Sequence, residues 1–207
     1  MIHDISPPVD EQLAVWPGDT PYSARQLLRL RDGAPVDLST ITLSCHTGAH
    51  ADAPSHYAAG APGIDAVPLD RYLGPCVVVD VRPTDGVIRP SDLEGADLEG
   101  ATRILFRTRD GGDRTKFCEA FCCLSVELVE ELGRRGFELV GVDTPSVDPF
   151  DSKELVAHHA LHRHGIANLE GLDLGAVAAG RYELIALPLR LCGRDASPVR
   201  AVLRTLR

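Results

Sequence analysis

Short apolar runs, separated by glycine, proline and polar turn residues, recur along the whole chain. Many of them are rich in valine, isoleucine and leucine, the composition that favours β-strands. Residues 77–79 and 139–142 show almost no alternation of apolar and polar positions, which predicts central strands buried on both faces of a sheet. We therefore predict strands at residues 23–30, 38–45, 75–81, 103–108, 138–143, 182–191 and 199–206.

Helical spacing is rarer than strand patterning. Residues 125–135 carry apolar side chains at intervals of three, with Glu127 in the first turn, where a negative charge suits the helix dipole. Ser125 is a favourable N-cap, and Gly136 follows the last periodic position. These signals predict an α-helix over this segment.

A second helix is predicted over residues 152–164, between Ser152 as its N-cap and Gly165 as its stop. Shorter helices are predicted at residues 68–73 and 172–179. Strands outnumber helices and do not alternate with them in a βαβ rhythm, which disfavours a Rossmann or barrel architecture. The pattern instead predicts an α/β fold with a mixed β-sheet flanked by a few helices.

Composition sets the broad class. A chain of 207 residues suits one domain over residues 1–207, and 44% hydrophobic with 25% charged residues is ordinary for a soluble protein. The net charge of −9 argues against nucleic acid as a partner, which would need a basic patch. No apolar run approaches the roughly 20 residues that cross a membrane. Since the N-terminal residues lack a signal sequence, we expect a cytoplasmic protein whose six cysteines stay reduced.

Histidines are concentrated in two windows. Of the eight in the chain, seven fall in residues 46–56 and 158–164. A single histidine is usually a surface or core residue, but clustering changes that expectation. First-row metals bind imidazole and carboxylate groups, and catalytic sites use few protein ligands so that water can also bind. The first window, which predicts a metal or catalytic site, contains His46, His50, Asp52 and His56.

The spacing within this window constrains its geometry. His46 and His50 could not share a metal on a straight strand, because four extended residues span roughly 13 Å. A turn at Gly48 would let the two imidazoles converge, since glycine reaches backbone angles that other residues avoid. The side chains of His50 and Asp52, two residues apart, share one face of an extended segment. The proline that follows stiffens the chain and keeps His56 near the site.

The second window offers further candidates. On a helix His158 and His162 share a face while His159 points away, so spacing alone does not decide whether His158 or His159 is a ligand. His162 and His164 lie near the helix C-terminus, where we expect ordinary solvated side chains. Glu170 ends an apolar run just before a glycine, which predicts a strand end that presents either a ligand or a surface glutamate.

Trp16 is the only tryptophan and lies in a Trp-Pro-Gly-Asp turn. The turn places the indole on a loop, where it serves either as a core residue or as a platform for an aromatic substrate. His3 is interpreted as structural. A thiol mechanism is not expected, because Cys45 next to His46 would point to the opposite side of a strand.

These segments together resemble the bacterial-type kynurenine formamidases (arylformamidases) of the metal-dependent cyclase family. The Trp-Pro-Gly-Asp turn and the compact length favour this branch over the longer isatin hydrolase-like relatives. The chain departs from the family at Ala49, where threonine is usual, and a hydrogen bond behind the ligands is then missing. The resemblance runs nearly end to end and is carried by residues 3–6, 16–19, 46–56, 143–148 and 157–171.

The resemblance implies the family's swivelling β/β/α fold, a homodimer and two divalent metal ions per subunit. Zinc is the implied metal, and manganese or cobalt would also suit such ligands. By the same resemblance His56 is the acid/base and Trp16 lines the substrate pocket. The implied ligands of one ion are His46, His50 and Asp52. Asp52 is shared with the second ion, whose other implied ligands are His158 and Glu170.

The implied activity is that of an arylformamidase, which hydrolyses the small molecule N-formyl-L-kynurenine to L-kynurenine and formate in tryptophan catabolism by the kynurenine pathway. Two alternatives remain open at this point. A sibling enzyme acting on isatin or another aryl amide would use the same metal core. A non-catalytic metal-binding protein would instead have a closed coordination shell.

Overall fold

The computed structural model describes residues 1–108 and 112–206, which form an α/β fold around one large mixed sheet. Its strands, in chain order, are β1 (Ile2–Asp4), β2 (Ser23–Leu28), β3 (Leu38–Thr42), β4 (His50–Asp52), β5 (Leu73–Asp80), β6 (Val87–Ile88), β7 (Arg103–Arg107), β8 (Cys123–Leu124), β9 (Leu139–Val142), β10 (Ala167–Glu170), β11 (Gly180–Ile185), β12 (Ala196–Pro198) and β13 (Val202–Thr205).

Nine of these described strands form the main sheet, in the order β1-β13-β11-β5-β7-β9-β10-β4-β12. The centre is parallel, through the pairs β5–β7, β7–β9 and β9–β10, and the remaining pairs are antiparallel. Apart from this sheet, β2 and β3 form an antiparallel hairpin, and β6 pairs with β8 in parallel. The predicted mixed sheet is therefore confirmed.

The central strands are buried on both faces, as their composition predicts. In β5, Val77 and Val79 pack into one hydrophobic cluster, while Val78 between them packs into the other. Strand β7 repeats the arrangement, with Leu105 facing one cluster and Phe106 the other. This period of two follows from the pleat of an extended chain. The sheet thus separates two cores.

Helices α1 (Val126–Arg134) and α2 (Val156–His164) cover one face of the sheet. The prediction for α1 is confirmed: the Ser125 hydroxyl accepts the backbone N–H of Leu128 at 3.1 Å, and Gly136 beyond the helix has a φ of 80°. Within the described residues the shorter helices are 3-10 turns, at Leu30–Asp32, Pro54–His56, Ile64–Ala66, Leu69–Tyr72 and Pro90–Leu93. The segment 68–73 is thus helical only as a 3-10 turn.

The predicted start of the second helix is wrong. Ser152 is not its N-cap, because α2 begins at Val156, after Leu155 has turned through a left-handed φ of 45°. The Ser152 hydroxyl instead accepts the backbone N–H of Leu155 at 3.1 Å, which closes a turn before the helix. The predicted end is right, since Gly165 adopts the left-handed C-cap conformation.

The helix predicted at residues 172–179 is absent from this described segment. Its backbone donors bond to other parts of the chain: Leu172 N–H to the carbonyl of Val142, and Asp173 N–H to that of Ile5. The first N–H groups of a helix have no partner inside it, so these two bonds do not by themselves prevent a helix; they tie residues 172 and 173 to the sheet and to the N-terminal segment. The strand predicted to reach residue 191 ends at Ile185, shortly before a proline that cannot donate to a ladder.

The strand predicted over residues 38–45 ends at Thr42, and Cys45 lies in the turn that follows. The argument that a strand would point the Cys45 thiol away is therefore wrong. Burial raises the pKa of this thiol, which disfavours the thiolate. None of the helices in the described part of the chain is long and apolar enough to cross a membrane.

Candidate metal centre

The register of the sheet brings two carboxylates together near one edge. Strand β4 lies between β10 and β12, and its pairing with β10 sets His50 directly opposite Glu170. Asp52 follows two residues later on the same face of β4, as its spacing predicts. Both carboxylates are buried. The strand pairing therefore creates a compact acidic cluster from segments that are distant in the sequence.

A tight turn sets the first imidazoles in place. Gly48 has the left-handed φ of 66° that its residue type permits, and its carbonyl accepts the Nδ1–H of His50 at 2.9 Å. The ring centroids of His46 and His50 consequently lie 5.0 Å apart. The predicted convergence of these two side chains through a turn at Gly48 is confirmed. Because Nδ1 of His50 is the donor, Nε2 faces the carboxylates.

Helix α2 supplies the third imidazole. Nε2 of His158 lies 3.4 Å from Oδ2 of Asp52 and 3.3 Å from Oε1 of Glu170. The neighbouring His159 is exposed. The structure therefore brings His158 to the carboxylates and leaves His159 outside, a choice that spacing leaves open.

His46 and His56 form the outer layer of the cluster. Nδ1 of His46 lies 3.0 Å from Oδ1 of Asp52, and its ring centroid is 4.3 Å from that of His56. The His56 side chain is 36% exposed, and its Nδ1 lies 3.8 Å from Oδ2 of Asp195. His56 thus borders both the buried cluster and solvent. That is where a residue that exchanges protons with a substrate would lie.

The buried polar atoms of the cluster fit a divalent cation better than they fit hydrogen bonds with one another. In the described structure Oδ1 of Asp52 and Nε2 of His158 are buried with no hydrogen-bond partner. Buried polar atoms are rarely left in this state, and converging carboxylate oxygens and imidazole nitrogens are the ligands that a first-row divalent cation binds. Two sets offer three ligand atoms within 4.8 Å of one another: His46, Asp52, His56, and His50, Asp52, Glu170.

The carboxylates and imidazoles of the cluster shift one another's pKa values. Burial by itself raises the pKa of Asp52, but the adjacent imidazoles of His158 and His46 outweigh burial and hold that pKa well below its usual range. Burial lowers the pKa of His46, yet the Asp52 carboxylate raises it to about 9. At His56 burial prevails and lowers the pKa, so this imidazole is neutral at pH 7. The outermost imidazole is thus the one that can accept a proton.

Three residues that the sequence reasoning missed support the cluster. The Asn168 amide donates to Oδ2 of Asp52 at 2.8 Å and to Oε1 of Glu170 at 3.3 Å. Asp148 accepts the Nδ1–H of His158, and Asp195 contacts Nε2 of His46 at 3.1 Å. Only Asn168 carried a signal in the sequence, because it precedes Glu170 by two on a predicted strand end.

Other histidines lie outside the cluster. Nε2 of His3 lies 3.2 Å from the Thr205 hydroxyl, which fits its structural interpretation. His162 is exposed, and His164 lies 3.4 Å from a carboxylate oxygen of Glu130. Both are surface residues, as predicted for the end of α2.

A cavity of about 650 Å³ opens onto the cluster, and His46, His50, His56, His158 and Glu170 contribute to its lining. Its outer wall is aromatic. Trp16 lies on this wall, with its ring centroid 4.9 Å from Phe150, 5.3 Å from Phe117 and 6.3 Å from Phe121. The tryptophan thus lines the cavity and also packs against its aromatic neighbours.

The segment that carries Phe117 is tied to the N-terminal part of the chain. The guanidinium of Arg114 donates two hydrogen bonds to the Asp10 carboxylate, at 2.9 and 2.7 Å. These bonds lower the pKa of Asp10 to about 2. The ion pair joins two loops that line the cavity mouth.

Fold and site together define a mixed α/β protein with a buried histidine–carboxylate cluster at the floor of an aromatic cavity. The Cyclase family model matches residues 3–149, and the chain belongs to this family. The match confirms the cyclase family that the motifs predict. The narrower assignment to the formamidase branch stays a prediction.

Solved structures of similar fold agree with this placement. A structure described as a predicted metal-dependent hydrolase from Bacillus stearothermophilus is 28% identical, with a TM-score of 0.82 over 98% of this chain and 97% of that one. Isatin hydrolase A from Labrenzia aggregata, solved with benzyl benzoate, is 25% identical, with a TM-score of 0.81 over 98% and 93% of the two chains. The fold is thus the cyclase-like α/β type that the sequence predicts.

Gly171→Ala is expected to disrupt the cluster. A Cβ at Gly171 would lie 2.3 Å from the Gly48 carbonyl oxygen, the atom that holds His50. Gly136 is the matched control, because its φ is also positive but nothing lies within 4 Å of the added carbon. Gly171→Ala should reduce the free energy of unfolding by about 1–3 kcal/mol more than Gly136→Ala. It should also weaken the binding of added divalent cations, measured by calorimetry. Equal effects of the two variants would contradict the inferred contact.

Proposed function

We propose that this protein hydrolyses N-formyl-L-kynurenine to L-kynurenine and formate in a metal-dependent reaction. The observation that carries the proposal is the convergence of three imidazoles on two buried carboxylates at the floor of an aromatic cavity. Family membership supports a hydrolase, since structures of similar fold are described as metal-dependent hydrolases. The narrower assignment to formylkynurenine is supported by the resemblance of the motifs and by the aromatic cavity wall.

The cluster fits divalent cations, and we infer that two ions bind, with zinc as the native metal. His46, His50 and Asp52 would hold one ion. The other would be held by Asp52, His158 and Glu170, so that Asp52 is shared. Bound cations of this kind lower the pKa of a water molecule from 15.7 toward about 7 and polarise a carbonyl oxygen.

His56 would move the proton. Its neutral imidazole borders the cavity, where it accepts a proton from the water that attacks the formyl carbon. The same imidazole then delivers this proton to the aryl nitrogen as the C–N bond breaks, which releases L-kynurenine and formate. Trp16 would hold the substrate ring against the aromatic wall by stacking.

The alternatives make different demands on the same cavity. An isatin or other aryl-amide hydrolase would also use the aromatic wall, and the similarity to isatin hydrolase A favours this reading among the rivals. A non-catalytic metal-binding protein would enclose its ions. The opening of the cluster onto a large cavity and the partly exposed His56 support a catalytic site instead.

Formate release from N-formyl-L-kynurenine tests the proposed substrate. The purified protein loaded with zinc should release formate with a kcat/KM at least tenfold above its kcat/KM on isatin. Chelation should abolish the activity and zinc should restore it, because the reaction depends on the bound cation. A preference for isatin would move the assignment to the sibling activity. Absence of turnover on both substrates by zinc-loaded protein would contradict the arylformamidase assignment.

His56→Ala should retain the cations and lose about 10²–10⁴ in kcat, the usual contribution of general acid–base catalysis. Asp52→Ala should lose the cations, because both would share this carboxylate. Metal analysis of the two purified variants, alongside formate assays, separates these roles. Wild-type turnover by His56→Ala would show that another group moves the proton.

A homodimer, which the family resemblance implies, is part of the proposal. The β2–β3 hairpin supports it, because every residue of both strands is exposed. Several of these side chains are apolar, and an isolated two-stranded hairpin is marginally stable in water. A second copy packed on the hairpin would cover these side chains, which include Leu27, Leu28, Leu38 and Ile41.

Light scattering should give a mass of twice 22.3 kDa. Leu28 and Leu38 are cross-strand partners, so replacing both with serine removes apolar surface from one face of the hairpin and should shift the mass toward a single chain. The matched control replaces Leu69 and Leu189, which are 56% and 59% exposed elsewhere on the surface. A monomeric wild-type protein would exclude the dimer.

A further inference from the structure

Asp148 is a buried carboxylate that no step of the proposed reaction uses. Its side chain is enclosed between the loop after β9 and the start of α2, with 1% of the residue exposed. One oxygen, Oδ1, accepts the backbone N–H of Ala157 at 2.9 Å. The other, Oδ2, accepts both the backbone N–H of His158 at 3.0 Å and its ring Nδ1–H at 2.7 Å. A single carboxylate thus binds the helix end and the imidazole.

These contacts determine which ring nitrogen of His158 faces the cluster. An ionised carboxylate can only accept hydrogen bonds, so Nδ1 must carry the proton. Nε2 is then the ring nitrogen that faces Asp52 and Glu170, at 3.4 and 3.3 Å, and its lone pair becomes available to a cation once the proton that Nε2 carries in the absence of a metal is lost. A carboxylate behind a metal-binding histidine fixes its tautomer and orientation in this way.

The backbone just before α2 also helps to hold the first turn of this helix in place. Leu155 is the one non-glycine residue in the described part of the chain with a positive φ. Such a conformation is unfavourable and persists only where surrounding contacts hold it. The Ser152 hydroxyl bonds the N–H of Leu155 before the turn, and Asp148 bonds the two amides beyond Val156. The first turn of the helix is therefore fixed from both sides.

We propose that Asp148 is a positioning residue that links the start of α2 to the ligand nitrogen of His158. This inference rests on the proposed function, because it takes His158 as a ligand of the second cation. Asp148 would act through His158 and would not touch the substrate. Its removal should weaken one cation site and leave the other, built on His46 and His50, intact.

Asp148→Asn tests this role with little change of volume. The side-chain amide keeps one acceptor oxygen, but an NH2 group that cannot accept replaces the other, and the negative charge that holds the Nδ1 proton is lost. Zinc titration against a competing chelator should show one of the two ions bound about 10–100-fold more weakly, with the other unchanged. Ser125→Ala is the matched control, since it removes the side-chain cap of α1 and no hydrogen bond to a proposed ligand. It should lower the melting temperature and leave both zinc affinities as in wild type.

Two unchanged zinc affinities in Asp148→Asn would overturn the inference and leave Asp148 a simple helix cap. Imidazole ¹⁵N NMR of zinc-loaded wild type provides a test that needs no variant to fold. Nδ1 of His158 should carry a slowly exchanging proton and Nε2 the metal, whereas a metal-bound Nδ1 would refute the role. If wild type bound no zinc, the proposed function would fail first and this inference with it.

Discussion

The burial of two neighbouring carboxylates is the constraint on which the rest of the structure depends. Asp52 and Glu170 are 2% and 4% exposed, and an uncompensated buried charge costs several kcal/mol. Two neutral donors, the Asn168 amide and the Val147 backbone N–H, satisfy only part of their capacity. The remaining compensation must be positive charge. In the absence of a metal, protons on the surrounding imidazoles provide it, and a divalent cation replaces those protons when it binds.

The need to hold two buried carboxylates close together explains why the site lies where short strands meet. His50 and Ala51 of β4 are paired on both sides, which fixes the position of His50 relative to Glu170 without long flexible connections. Gly48 and Gly171 approach each other so closely that a side chain at Gly171 would meet the Gly48 carbonyl oxygen. The acidic pair is thus held together by backbone pairing and close contact, and its mutual repulsion is resisted by the sheet.

The sequence predicted those parts of the site whose geometry is local. The turn at Gly48 and the shared face of His50 and Asp52 follow from the conformational freedom of glycine and from strand periodicity. Asp148 could not be assigned, because its role depends on where α2 begins, and a left-handed Leu155 moved that start beyond the expected Ser152 cap. The strand patterns were similarly informative in the centre of the sheet, whereas the pattern of residues 172–179 predicted a helix that this described segment does not form.

The proposed reacting groups lie on strands, a helix and short turns, whereas the cavity wall lies on loops. This division determines how much family membership indicates about function. The proposed ligands and acid/base lie on strands, a helix and the short turns beside them, so the reaction chemistry is fixed by the fold. The aromatic wall, in contrast, is assembled from Trp16, Phe117 and Phe121 on connecting segments, the part of a fold that tolerates change without disturbing the sheet. Similarity of fold therefore indicates the class of reaction more strongly than it indicates the substrate. Discrimination between an open formamide and a fused ring such as isatin must come from this wall.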